Sequence, residues 1–248
     1  MTEIVLCATQ RCGSTMIVED MRNTGVLGFP EEWFIPWDPA KTDINWKDNL
    51  AGIKKRASGK NGVIAIKVMA NQLHNIEECL KSVVKPIPGP LFFRFHTVFS
   101  NATWVLIRRT DIVAQAVSRL MAKQTGVNHA TDAESHFAGN LMIGGDRTTY
   151  NKDTRYNYDA ILKECTAITL ETIAWSRFFN AFNIKPIILN YEDVINDNKM
   201  QHLDTMNTMI GNSTQLTKTE RTIKKLGNSR NSDFVKSFHR EAAQRNFC

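Results

Sequence analysis

The chain has 248 residues, 42% of them hydrophobic, 23% charged and 9% aromatic, which excludes a largely disordered chain and fits one large domain spanning 1–248. Its net charge of +6 suits an anionic ligand such as a phosphate, a nucleotide or nucleic acid without choosing among them, while basic runs no denser than IKKR at Ile53–Arg56 and RTIKKL at Arg221–Leu226 do not indicate a nucleic-acid-binding tail. Five widely spaced cysteines without a CxxC pair exclude a disulfide framework and a zinc site, and with no basic apolar leader and no run near the ~20 residues of a membrane span the expectation is a cytoplasmic protein.

Ile4–Thr9 is short, apolar and bounded by polar residues, as a buried strand is. Ser14–Thr24 has helical character, with Gly25 where a C-terminal cap belongs. Gly28–Pro39 is loop-like and carries Phe29, Trp33, Phe34 and Trp37, and Lys41–Asn61 is polar and poorly patterned. GVIAIK at Gly62–Lys67 predicts a second buried strand, and Asn71–Val84 a helix with Asn71 as N-cap. The prolines of Lys85–Pro90 make a connection. A third strand is expected at Thr103–Ile107, a helix at Asp111–Gln124, and a long polar excursion over Val127–Asn157. Tyr158–Phe182 steps its apolar residues by three and four, from Ile161 through Trp175 to Phe182, which predicts a long helix with one buried face. Pro186–Asn190 is the fourth strand; helices follow near Asn198–Ile210 and Ser232–Gln244. Strands alternating with helices imply an α/β fold: a central, mostly parallel sheet flanked by helices in three layers, with ligands at the carboxyl ends of the strands.

LCATQRCGSTM, Leu6–Met16, lies at such an end. A strand-to-helix turn offers free N–H groups and the positive end of a helix dipole. Gly13 lets backbone approach an anion, Arg11 adds a charged fork, and Ser14 and Thr15 add hydroxyls. That chemistry favours a phosphate or sulfate. No lysine follows the glycine, so the ATP/GTP P-loop is a poor fit. The CxxxxxR loop of cysteine phosphatases fails too, since neither Cys7 nor Cys12 has an arginine at the required spacing.

With the segments that follow, the stretch resembles the sulfotransferase family that includes bacterial trehalose 2-sulfotransferase. CATQRCGST resembles the family's SQRSGST loop for a 5′-phosphosulfate. NTGVLGFPEEWF resembles a TGV…G.P.E.F pattern, GVIAIKVMANQ a G…KLMWNQ segment, and IRRTDIVAQAVSRLMAKQT an HRPDVVSQAVSFWRAVQT segment that carries a 3′-phosphate site. WSRFF, PIILNYEDV and NSRNSDFVKSFHREA also have counterparts, so the resemblance reaches both ends of the chain and is weak in Trp37–Asn61, Lys85–Asn101 and Asn128–Asn157.

The resemblance implies a P-loop-like fold and 3′-phosphoadenosine 5′-phosphosulfate (PAPS) as sulfuryl donor, with no metal. Gln10, Arg11, Cys12, Gly13, Ser14 and Thr15 would hold the 5′-phosphosulfate, Cys12 replacing the usual serine by a weaker donor. Arg109 and Ser118 would bind the 3′-phosphate, with Arg108 an alternative to Arg109, and Arg230 would close over it. Glu32 would be the general base that takes the acceptor's proton, with Glu31 second. Arg11 and Lys67, the latter at the end of GVIAIK, would steady charge on the leaving phosphate; Lys67 alone could equally be a strand end in water. Asn71 and Gln72 are candidates for the acceptor pocket, His129 lies on a candidate acceptor loop, and Trp33, Phe34 and Trp37 either stack on a sugar or belong to the core. The expected partner is a small hydroxyl acceptor such as a carbohydrate, and the trehalose enzyme suggests a homodimer. The rival readings are a catalytically inactive nucleotide-binding protein of the same fold, and a phosphotransferase, which would need magnesium ligands that the sequence does not offer.

Overall fold

The computed structural model describes residues 2–85, 88–131, 146–245 and the backbone of 141–143. β1 (Glu3–Ala8) leads through a tight turn into α1 (Ser14–Asn23), and Gly25, at φ +70°, follows α1 as expected of a terminating glycine. α2 (Trp46–Arg56) lies inside the stretch read as unpatterned. Its apolar stripe is only Trp46, Leu50 and Ile53 amid lysines, but Asn45 caps it by accepting from the N–H groups of Lys47 and Asp48. β2 (Ile64–Met69) follows. The single helix expected over Asn71–Val84 is instead a 3₁₀ turn at Ala70–Gln72, α3 (Leu73–Cys79) and a second 3₁₀ turn at Leu80–Ser82. Asn71 is exposed inside the first turn and caps nothing there.

α4 (Phe93–Val98) precedes β3 (Thr103–Arg108). α5 (Ile112–Thr125) is capped by Asp111, which accepts from Ala114 N–H at 2.8 Å, and is ended by left-handed Gly126. β4 (His129–Thr131) and β5 (Leu141–Ile143) lie in the expected excursion. α6 (Tyr158–Ala181), β6 (Ile187–Asn190), α7 (Tyr191–Asn196), α8 (Gln201–Met209), β7 (Ile223–Lys224) and α9 (Ser229–Gln244) complete the described order.

The main sheet runs β2-β1-β3-β6, all parallel, with Leu6 opposite Lys67 and Cys7 opposite Leu106. A small sheet, β5-β4-β7, pairs β7 antiparallel to β4. Strand alternation divides the core. Val5, Cys7, Ile64, Ile66 and Val68 face an aromatic layer containing Phe95, Phe99, Trp104, Trp175 and Phe178. Ile4, Leu6, Ala8, Ala65 and Met69 face α1 and α8. A third cluster binds α5, α6 and α9 through Val117, Ile161, Phe234 and Phe238. The chain leaves β1 for β2 on one side and then crosses to β3 on the other. The carboxyl end of β1 is therefore a topological switch point, where open parallel sheets form their ligand crevices.

Candidate active site

A cavity of about 1250 Å³ opens at this switch point. Gln10, Arg11, Gly13, Ser14 and Thr15 line it, together with Glu32, Met69, Arg109, Ser118 and His129. Arg11 and Gly13 both have positive φ, +66° and +89°, which turns the chain sharply from strand into helix. The left-handed arginine costs on the order of 1 kcal/mol. Its side chain compensates: Nε donates to Ser118 Oγ at 3.1 Å, and Nη1 donates to the carbonyl of Asn128. No side chain caps α1, so the dipole end of that helix faces the cavity with its first-turn N–H groups uncapped by side chains. Gly13 is obligatory on two counts. Any Cβ there would lie 2.3 Å from Tyr191 Cδ2, and φ is left-handed.

Across the cavity, Arg109 stacks its guanidinium 4.9 Å over the Tyr191 ring, and its Nε, 3.9 Å from Glu192 Oε1, is a buried donor without a hydrogen-bond partner among the described residues. Burial holds the Arg11 pKa below its ordinary value; Tyr150 opposes this, and the nearby charge of Arg109 adds to it. Two guanidiniums sharing one recess, one with an unanswered donor, call for an anion. Arg108 does not line the cavity; it is exposed and donates to Asn190 Oδ1 at 2.7 Å.

The two neighbouring glutamates separate cleanly. Glu31 accepts from Arg22 at 2.6 Å and is outside the cavity lining. Glu32 lines the cavity, and both of its oxygens are held: Lys67 Nζ lies 3.0 Å from Oε1, and Gln72 Nε2 donates to Oε2 at 3.1 Å. Period-two alternation explains the lysine. It sits within β2 rather than at its end, on the face shared by Ala65 and Met69, which turns a long cation in toward the loop after β1. Its side chain is only 4% exposed, so the solvated strand-end reading is excluded.

A family model for Stf0 sulphotransferase matches residues 3–241 of this chain. The chain belongs to that family. Among curated relatives, the trehalose 2-sulfotransferase of Mycolicibacterium smegmatis is 26% identical over 223 residues, covering 77% of each chain. That of Mycobacterium tuberculosis is 30% identical over 158 residues, covering 50% of this chain and 57% of its own. A crystal structure of a sulfotransferase from Alicyclobacillus acidocaldarius aligns with 98% of this chain and 92% of that one, at 13% identity and a TM-score of 0.47.

In this sulfotransferase several expected contacts are placed differently. Arg230 is turned away from the cavity: Nε donates to Thr154 Oγ1 at 2.9 Å, Nη2 to the Thr154 carbonyl, and the guanidinium lies over Phe234. Cys12 points its thiol into the core beside α1, where burial raises its pKa, so only its backbone belongs to the loop. Phe34 and Trp37 are core residues in edge contact, while Trp33 is half-buried under Arg56. Gln72 is occupied by Glu32 and by the N–H of Met69, to which its Oε1 is the acceptor at 3.1 Å. Residues that sequence reasoning passed over include Gln115, Arg119, Asn128 and Tyr191, all at or beneath the loop. For Gln115 and Arg119 the helix spacing with Ser118 was a signal; Asn128 and Tyr191 lie outside that helix. No cluster of His, Cys, Asp or Glu able to hold a metal occurs among the described residues, and no described helix is long and apolar enough to cross a membrane.

Proposed function

We propose that this sulfotransferase moves the sulfuryl group of PAPS to a hydroxyl of a carbohydrate or similar small acceptor. The observation that carries the reading is one cavity lined both by an anion-cradling loop and by a carboxylate whose two oxygens are held in place. The residues fit the donor: the loop and Arg11 suit the 5′-phosphosulfate, and Arg109, with its buried unanswered Nε, suits the 3′-phosphate. Glu32 accepts the proton of the acceptor hydroxyl as that oxygen bonds to sulfur. The bond from sulfur to the bridging phosphate oxygen breaks, and 3′-phosphoadenosine 5′-phosphate departs. The loop dipole and Arg11 oppose the charge that develops on the departing oxygen. The acceptor belongs at the Glu32, Ile35 and Met69 end of the cavity, and a sugar is favoured by the names of the curated relatives.

Calorimetric titration with 3′-phosphoadenosine 5′-phosphate tests the donor reading. Wild type should bind with micromolar affinity, roughly −8 kcal/mol. Arg109→Ala should weaken binding at least about tenfold and Arg108→Ala less than about threefold. Glu32→Gln should keep that affinity while sulfation of trehalose falls about 10²- to 10⁴-fold. A wild type that does not bind the nucleotide sinks the proposal.

A further inference from the structure

The loop after β1 is held by a network on α5 and α6, of which Arg119 also borders the cavity. Gln115 donates from Nε2 to the Gln10 carbonyl at 2.7 Å and to Thr9 Oγ1 at 2.9 Å. Arg119, one turn further along α5, donates from Nε to the same carbonyl at 3.1 Å. Its two terminal nitrogens meet Glu171 of α6, with Nη1 at 3.0 Å from Oε1 and Nη2 on Oε2. Glu164, itself paired with Lys123, lies 4.0 Å from Nη1. The Arg119 side chain is only 4% exposed. With one N–H of each terminal nitrogen on the Glu171 carboxylate, the Nε–H of this buried planar fork is directed to the Gln10 carbonyl.

We infer that Arg119 is a positioning residue for the donor. The inference rests on the donor reading above and names how the loop is kept in shape. Across a trans peptide, the carbonyl and the following N–H point in opposite directions. Fixing the Gln10 carbonyl toward α5 therefore turns the Arg11 N–H away from α5 and holds that residue in its left-handed conformation. The Glu171 carboxylate is the anchor: it keeps the guanidinium plane aligned so that Nε, not a terminal nitrogen, meets the carbonyl. Arg119 acts on the donor through the loop backbone.

Two nucleotides separate this role from general stabilisation. 3′-Phosphoadenosine 5′-phosphate uses both anion sites, whereas adenosine 3′-phosphate lacks the group the loop holds. Arg119→Met should weaken the first by about tenfold or more and the second by less than about twofold, by direct or displacement calorimetry. Arg119→Lys should restore part of the difference, because an ammonium can reach the carbonyl or the carboxylate but cannot bridge them as a fork does. Gln115→Met, which leaves the ion pair intact, should act in the same direction and covers the case in which Arg119→Met fails to fold. Equal weakening of both nucleotides, or of neither, overturns the inference while the donor reading stands. A wild type that binds neither nucleotide overturns both.

Discussion

The two walls of the cavity are built differently. On the side proposed for the donor, the course of Gln10–Thr15 begins in short-range features, a strand end, a glycine and a helix start, and distant groups on α5 and at Asn128 then brace it. On the acceptor side, Phe29–Trp37 has no regular structure, and Glu32 is placed by partners from β2 and the turn after it, more than thirty positions away in the chain. The aromatics on that side serve the core, leaving Ile35 exposed at the cavity. A motif can carry the first kind of wall from protein to protein. The second kind depends on which strand lies alongside, and it can change with the acceptor without disturbing the donor site.

The largest expected effect falls on the donor wall. Gly13→Ala must displace the Tyr191 ring and adopt a left-handed conformation, costing about 2–4 kcal/mol and lowering Tm by about 5–10 °C. A melt within 1–2 °C of wild type would show that the loop tolerates what its geometry forbids. Next comes Lys67→Met, which removes the buried partner of Glu32. Turnover should fall about tenfold while the affinity for 3′-phosphoadenosine 5′-phosphate changes less than about threefold. If donor affinity falls as far as turnover, Lys67 belongs to the donor wall and the division drawn here breaks.

The smallest effect concerns Glu192, which fastens the turn carrying Arg109. Burial pushes its pKa up, but hydrogen bonds from backbone N–H groups, those of Thr110 and Asp111 among them, outweigh this and leave it below the ordinary carboxylate value. A carboxylate depressed in the folded state contributes stability above its unfolded pKa and loses it as pH falls through the folded one. Glu192→Gln should therefore melt about 1–2 °C below wild type near neutrality, and the gap should close as pH falls through and below the ordinary carboxylate range. A gap that is constant with pH would assign the stabilisation to packing.

The strands and the position of the loop were legible in the sequence because both rest on local chemistry, whereas the α5 groups that brace the loop were not. Apolar runs at Ile4–Thr9, Gly62–Lys67, Thr103–Ile107 and Pro186–Asn190 became the four parallel strands, offset by a residue or two at their ends. α2 was hidden because its buried stripe is three residues wide, and the cap that starts it, Asn45, lies in a polar stretch that also reads as loop. The outward turn of Arg230 was not legible either, since it follows from Thr154 lying beside α9.

Hydrophobic period, glycine placement and the order of motifs by themselves determined the α/β class, the anion-binding turn after the first strand, and the pair Glu31 and Glu32 as candidate bases. The resemblance ranked Glu32 before Glu31 and Arg109 before Arg108, and only the tertiary structure showed that the first of each pair lines the cavity while the second does not. Adjacent residues share composition and local propensity, so apart from motif register nothing along the chain separates them. What separates them is which cation, amide or ring the fold brings alongside: Lys67 and Gln72 for Glu32, Tyr191 for Arg109, and Arg22 and Asn190 for the residues turned away.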